Sequence, residues 1–259
     1  MNISDATTVG DLAAGVPGAT RVFENFGIDY CCGGYRTLAD ACQEAGSPVE
    51  DLTRALEEAG RAPQPGSGRD WRQESLAALT EYIIDTHHFF TRQELDRLEN
   101  LFDRVCSRHG ENHPELFGAQ KTFYQLKRDL IPHMLKEEQV LFPYITRMEE
   151  AAGEGRAVPP PFFGTVRNPV RMMMTEHDTA GDLLRQLRGI TKGYTTPPDG
   201  CVSFQTLYQA LAAFEADLHQ HIHLENNILF PRAVESEEIS APDIYKSAGK
   251  FNEHRCFGH

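Results

Sequence analysis

The chain has 259 residues, a net charge of −13 and 40% hydrophobic residues, enough apolar content for one large domain or a main domain with a small appendage. So acidic a balance argues against a nucleic-acid-binding surface and against attraction to anionic lipid. No stretch approaches the ~20 apolar residues of a membrane span, Met1-Asn-Ile-Ser-Asp lacks the features of a signal peptide, and six cysteines are too sparse for a secreted disulfide scaffold, so a soluble protein of a reducing cytoplasm is expected.

Residues 1–62 read as a small helical domain. Val9-Gly-Asp-Leu opens one helix, and Ala19-Thr-Arg-Val-Phe23-Glu-Asn-Phe26 carries the apolar spacing of a second, with Gly27 as its stop. Asp29-Tyr-Cys31-Cys32-Gly33-Gly34 follows, then a new helix start at Thr37 and helical spacing through Val49, Leu52 and Leu56. So few apolar residues need a surface to cover them, by docking or by homodimerisation. Adjacent cysteines are a poor metal chelate, and a disulfide between neighbours is strained. A chance pair at a helix start is one reading. The two glycines favour another, an exposed, tightly turned loop with accessible, redox-active thiols.

Residues 63–69 are a linker by their Pro, Gly and Ser content. A helix is then predicted from near Asp70 and Trp71 through His88 to about Val105. After a turn, Pro114 begins a second helix carrying Phe123, Leu126, Leu130, His133, Glu137, Leu141 and Ile145. Within it, Pro132 lacks a backbone donor and is expected to distort the helix. A long break from Gly153 to Gly164 precedes a third helix from Asn168-Pro169, carrying Met173, His177 and Leu184. The fourth runs from about Val202 to Arg232, with a bend expected at Pro231. Residues 70–234 thus form the main domain, and 235–259, with Cys256, a polar tail of no evident role.

One phrase occurs twice. His133-Met-Leu-Lys-Glu137-Glu-Gln-Val-Leu-Phe-Pro143 is matched by His221-Ile-His-Leu-Glu225-Asn-Asn-Ile-Leu-Phe-Pro231. Positions four apart on a helix lie one above the other, so each phrase aims an imidazole and a carboxylate at one point. His88 lies 45 residues before His133, and His177 lies 44 before His221. That spacing is the length of a helical hairpin, so the repeat predicts two hairpins facing each other as an all-α, up-down-up-down four-helix bundle.

Any one of these histidines alone is more simply a core or surface residue. Six residues related by a repeat favour a metal site, because two carboxylates facing each other inside a bundle repel and are costly to desolvate without cations between them. Six N/O ligands without thiolate disfavour structural zinc, and four imidazoles disfavour Mg²⁺ and Ca²⁺. Two metals, each with two histidines and both bridged by Glu137 and Glu225, use every ligand. Open positions for an oxo bridge, O₂ or NO suit non-haem iron, with di-zinc or di-manganese as the fallback. His219 and His223 are also four apart but turn away from His221, and their repeat counterparts are Ile131 and Leu135. Glu176 and His87 each stand just before a proposed ligand. Glu176 is a candidate to hydrogen-bond near the metals, as is Asp129 one turn before His133, although each could equally be a solvated helix residue.

Taken together, Asp29-Tyr-Cys-Cys-Gly-Gly34 followed by Thr37-Leu, the two His-x-x-x-Glu…Leu-Phe-Pro phrases and Glu176-His-Asp178 resemble the iron–sulfur cluster repair di-iron proteins. The likeness covers roughly residues 8–234. It implies a cysteine-bearing N-terminal domain before a hemerythrin-like bundle, with an oxo- and carboxylate-bridged pair of irons on His88, His133, Glu137, His177, His221 and Glu225. It also implies that Cys31 and Cys32 are the family's cysteine pair and that Glu176 supports a ligand. The implied function is cytoplasmic repair of iron–sulfur clusters damaged by nitric oxide or oxidants, through iron release to a damaged protein or an assembly scaffold. A di-iron enzyme reducing NO to N₂O is the first alternative, and a hemerythrin-type O₂ or NO sensor the second. The cysteine domain counts against the sensor, since gas binding needs no such module.

Overall fold

The computed structural model describes residues 3–61, 69–156, 158 and 161–240, and all regular structure among them is helical. Residues 63–68 of the expected linker, most of the polar tail and Cys256 lie outside the described residues. Four short helices come first: α1 (Val9–Gly15), α2 (Ala19–Phe26), α3 (Leu38–Ala45) and α4 (Val49–Arg61). Thr8 and Thr37 cap α1 and α3 by accepting the amides of Asp11 and Asp40, and the two threonines pair with each other in a single antiparallel bridge. Gly27 and Gly46 end α2 and α3 in the left-handed conformation that glycine adopts without strain.

The bundle follows. α5 runs over residues 76–109, α6 over 115–153, α7 is Arg167–Ile190, and α8 covers 202–240. α5 packs against α6 and α8, and α6 packs against α7. α7 is tied to α8 by Arg188, whose guanidinium donates to the buried carboxylate of Glu215 at 2.8 and 3.1 Å. The up-down-up-down arrangement is the one the repeat predicted.

The helix ends differ from expectation in instructive ways. α5 begins at Leu76 rather than near Asp70, because Ser75 caps it and Glu149 of α6 accepts the amides of Leu76 and Ala77 at 2.7 and 2.9 Å. Trp71, left outside the helix, stacks on Tyr82 instead. α8 continues to Ser240, where a tail was expected from residue 235. Here Glu237 accepts the amide of Val166 and the hydroxyl of Tyr144. Pro132 does not break α6. The helix stays α through Lys136 and departs from it only at Glu137–Leu141.

That departure is one of three. Ile83–His88, Glu137–Leu141 and Glu225–Leu229 are each a wide π turn inside an otherwise α-helical element. Such turns insert one extra residue and swing the side chains that follow. In α6 and α8 the return to α falls at Phe142-Pro143 and Phe230-Pro231. A proline there lacks the amide for an i→i−4 bond and crowds the carbonyl four residues back, so the wider turn accommodates it. The first π turn has no proline, so the ring is not a requirement.

Two apolar clusters make the core. One holds Leu95, Leu98, Phe102, Phe123, Leu130, Leu184, Phe214 and Leu218 together with Val9, Leu12, Phe23, Tyr30, Leu38 and Leu52 of the N-terminal helices, so the small domain docks on its own bundle. The other holds Leu79, Ile83, Leu141, Ile145, Met173, Leu229 and Phe230. Every proposed ligand lies where one cluster gives way to the other along its helix, in a polar layer between two apolar ones.

Candidate metal centre

In that layer six side chains converge. His88, Glu137, His221 and Glu225 bring one ligand atom each to within 4.8 Å of one another, and His133, Glu137, His177 and Glu225 do the same. All six are buried, with both glutamates and His88 at 0% exposure. The carboxylates are shared oxygen by oxygen. Glu137 sends Oε2 toward His88 and Oε1 toward His133, both at 3.4 Å. Glu225 sends Oε1 to His221 at 3.0 Å and Oε2 to His177 at 3.1 Å.

The protons of the imidazoles can be placed from their outer partners. Asn226 donates from Nδ2 to the Cys31 carbonyl, 3.2 Å away, which turns its Oδ1 toward Nδ1 of His177 at 2.8 Å. Nδ1 of His177 therefore carries a hydrogen, and Nε2 is the nitrogen left to face inward. Glu138 accepts from Nδ1 of His88 at 2.6 Å, and Glu176 from Nδ1 of His133 at 2.7 Å, with the same result. Each acceptor is itself held by a cation, Arg92 on Glu138 and Lys136 on Glu176. These contacts drop the Glu176 carboxyl to about 2 and hold that of Glu138 below its ordinary range.

The inner nitrogens then face one another. Nε2 of His133 and His177 are 3.0 Å apart, and Nε2 of His88 and His221 are 3.1 Å apart. Among the described residues neither oxygen of Glu137 meets a hydrogen-bond donor. A buried carboxylate so placed is costly unless cations lie against it. Two nitrogens and two carboxylate oxygens per position, with nothing softer, form the donor set of a borderline divalent metal. The residues present fit two ions.

The outer partners obey the internal repeat. Glu138 and Asn226 occupy the same place in the two phrases, one residue after each shared glutamate, and both accept from an imidazole on another helix. Glu176 and His87 are likewise equivalent, but the symmetry fails there. His87 stacks on His221 at 5.8 Å between ring centroids and turns Nδ1 to Asp217, leaving Nδ1 of His221 without a protein partner among the described residues. The sequence reading singled out Glu176 and missed Glu138 and Asn226, although their matching positions were a usable signal. It also proposed Asp129, which pairs with Arg128 at 3.5 Å and only lines the mouth of a cavity of about 280 Å³. That cavity reaches His133 and His177 past Lys136 and Glu176.

The cysteines are not on an exposed loop. Cys31 is 4% exposed and Cys32 half-buried. Asp29 Oδ1 accepts the amides of both, at 3.2 and 2.9 Å, and tightens the turn. The loop lies against α7 and α8, with Cys32 Sγ 3.6 Å from the His177 carbonyl oxygen. Asn226 thus touches the cysteine loop with one end and a proposed ligand with the other. His219 and His223, expected as outer histidines, edge against the Tyr30 ring at 6.3 and 5.6 Å. Burial pushes His223 down to about 4, and Asn227 Nδ2 donates to its Nδ1 at 3.0 Å.

Residues 79–233 match the hemerythrin HHE cation-binding domain, and residues 5–60 match a domain of unknown function described as ScdA_N. A Pectobacterium carotovorum protein named iron–sulfur cluster repair protein YtfE is 34% identical over 230 residues, 89% of this chain and 97% of the relative. The protein of that name from Yersinia pseudotuberculosis is similar to the same degree and over the same shares. Among the described residues no helix is long and apolar enough to cross a membrane.

Proposed function

The chain belongs to the family of iron–sulfur cluster repair proteins, and we propose that it restores clusters damaged by nitrosative or oxidative stress in the cytoplasm by donating iron. Two iron ions are held by His88 and His221 on one side and His133 and His177 on the other, with Glu137 and Glu225 bridging. What supports this most is the sharing of both buried carboxylates, oxygen by oxygen, between two imidazole pairs.

Bound there, iron supplies an exchangeable ferrous pool and one-electron chemistry. The chain's own residues do the rest. Glu138, Glu176 and Asn226 hold the Nδ1 hydrogens of His88, His133 and His177, so that Nε2 is the nitrogen each turns toward the ion. Both ions would depend on the same two carboxylates, Glu137 and Glu225, which would tie the retention of one to that of the other. The cavity along Lys136 and Glu176 gives small ions a path to His133 and His177. Cys32 stands beside His177 and lines the cleft offered to a damaged cluster protein or an assembly scaffold, with Cys31 buried behind it.

The test is iron transfer. Reduced, iron-loaded protein is mixed anaerobically with an apo iron–sulfur acceptor and a sulfide source, and cluster formation is followed optically. Cluster should form with the native chain, and a His133→Ala, His221→Ala double variant should carry little iron and support none. Failure to transfer where a known donor succeeds would overturn the reading.

A further inference from the structure

The cysteine turn brings three donor groups together outside the bundle layer. Asp29, Cys31 and Cys32 each place a ligand atom within 4.8 Å of the others. The two Sγ atoms are 3.8 Å apart, far beyond a disulfide bond, and both thiols are free. A metal binding two thiolates tetrahedrally at ~2.3 Å holds the sulfurs about 3.8 Å apart, and a thiolate and a carboxylate oxygen about 3.5 Å apart. Here Cys31 Sγ lies 3.4 Å from Asp29 Oδ1. Adjacent cysteines are a poor chelate in an extended chain. This turn has already paired their sulfurs, because Asp29 fixes both amides.

The surroundings suit a cation. Asp29 and Cys32 line an open cleft of about 520 Å³, together with Asp178, Arg36 and Arg185. Two thiolates and a carboxylate exceed the charge of a divalent ion by one. Arg185 and Arg36 lie 3.7 and 3.9 Å from Asp29 Oδ2 and offset part of that excess, although each is also paired with a carboxylate, Asp182 and Glu44. The cleft leaves the fourth coordination position to water or an incoming ligand.

We propose that Asp29, Cys31 and Cys32 form a third metal-binding position, which takes a thiophilic divalent cation. Binding forms two metal–sulfur bonds and one metal–oxygen bond, and the two thiol protons pass to solvent without any redox change. The hydrogen bond to Cys32, burial and the Asp29 carboxylate push the Cys31 thiol well above its ordinary range, so an incoming ion must displace its proton. Affinity therefore rises with pH.

Co²⁺ distinguishes this position from the bundle, since only thiolate ligands give an intense sulfur-to-cobalt absorption in the near ultraviolet. The full chain, with its bundle loaded and kept reduced by a non-thiol reductant, is titrated with Co²⁺. One equivalent should develop the band. Cys32→Ser and Cys31→Ser should each abolish it. Asp29→Asn, which keeps an acceptor for both amides, should weaken binding at least tenfold. Cys42→Ser and Cys201→Ser should leave the band unchanged, as should the His133→Ala, His221→Ala double variant, which separates this position from the bundle centre. Absence of the band in the native chain, or its survival in folded Cys32→Ser protein, would overturn the proposal.

Discussion

Glu137 and Glu225 share a chemistry, a layer and complete burial, yet their proton affinities diverge. Burial raises Glu137, the charge of Glu225 raises it further, and without metal it reaches about 7. Burial would raise Glu225 too, but the imidazoles of His221 and His177 outweigh it and hold it well below its ordinary range. The same contact lifts His177, against its own burial, to about 9. Each shift has a stability consequence in the metal-free chain. Glu137, raised from 4.5, stabilises fully below that pH and loses its contribution as pH climbs through about 7. His177, raised from 6.5, stabilises below that value and loses its contribution through about 9. Glu225, lowered, loses its contribution only as pH falls below 4.5. His221, lowered from 6.5 by burial, works the other way only below that value, so from about pH 6.5 to 9 the metal-free centre becomes steadily more costly, while bound cations take the place of the protons. Melting curves with and without metal at about pH 6.5 and 9 should show the stabilisation by metal growing with pH, by several degrees overall. A gap that narrows with pH would mean that these carboxylates are not what the metal binds.

The helices hold their ligands through turns that the 3.6-residue period does not announce. Glu137 and Glu225 each open a π turn, and His88 closes one, so all three enter the layer where a helix widens by one residue. Deleting Val140 removes the extra residue, so a plain α turn must join the helix on either side. Phe142, Ile145 and Met148 then keep their places in the core, while the side chains within the turn, Glu137 among them, are re-aimed. Metal content should fall by more than half while the far-ultraviolet spectrum stays helical. Pro143→Ala should keep its metal, because Ile83–His88 makes the same turn with no proline. Full metal in the deletion variant would show that the turn is incidental. What the sequence displayed were the local regularities, namely the i, i+4 pairs, the 45-residue spacing and the threonine and glycine caps. What it hid was set from a distance. The start of α5 depends on Glu149 of another helix, the π turns have no distinctive composition, and Glu138 and Asn226 act on histidines of neighbouring helices.

The two halves of the chain meet where the repeat carries Asn226-Asn227 instead of Glu138-Gln139. Asn227 Nδ2 donates to the Tyr30 carbonyl at 3.0 Å while Asn226 holds that of Cys31, so adjacent amides clamp the turn that presents both thiols. The clamp closes because Gly10 and Gly34 bring no side chain to it. A Cβ at Gly10 would stand 2.7 Å from Asn227 Oδ1, and one at Gly34 would strike the same oxygen and press the Tyr30 carbonyl at 3.0 Å. Gly34, beside the cysteines, thus permits a close approach between domains rather than exposing the loop. Gly34→Ala cannot be relieved by moving Asn227 alone, since the Tyr30 carbonyl is backbone and the Asn227 amide is also engaged by His223. The turn must lift away from α8. Cys31 and Cys32 should then react with a thiol reagent several times faster, and amide exchange in α1 and around Cys31 should accelerate. Native rates in the Gly34→Ala variant would show that the clamp yields elsewhere. The bundle's metal should be largely retained, because of its six proposed ligands only His177 is held from the clamp, through Asn226. Loss of metal together with thiol exposure would instead mean that the docked turn holds the centre shut.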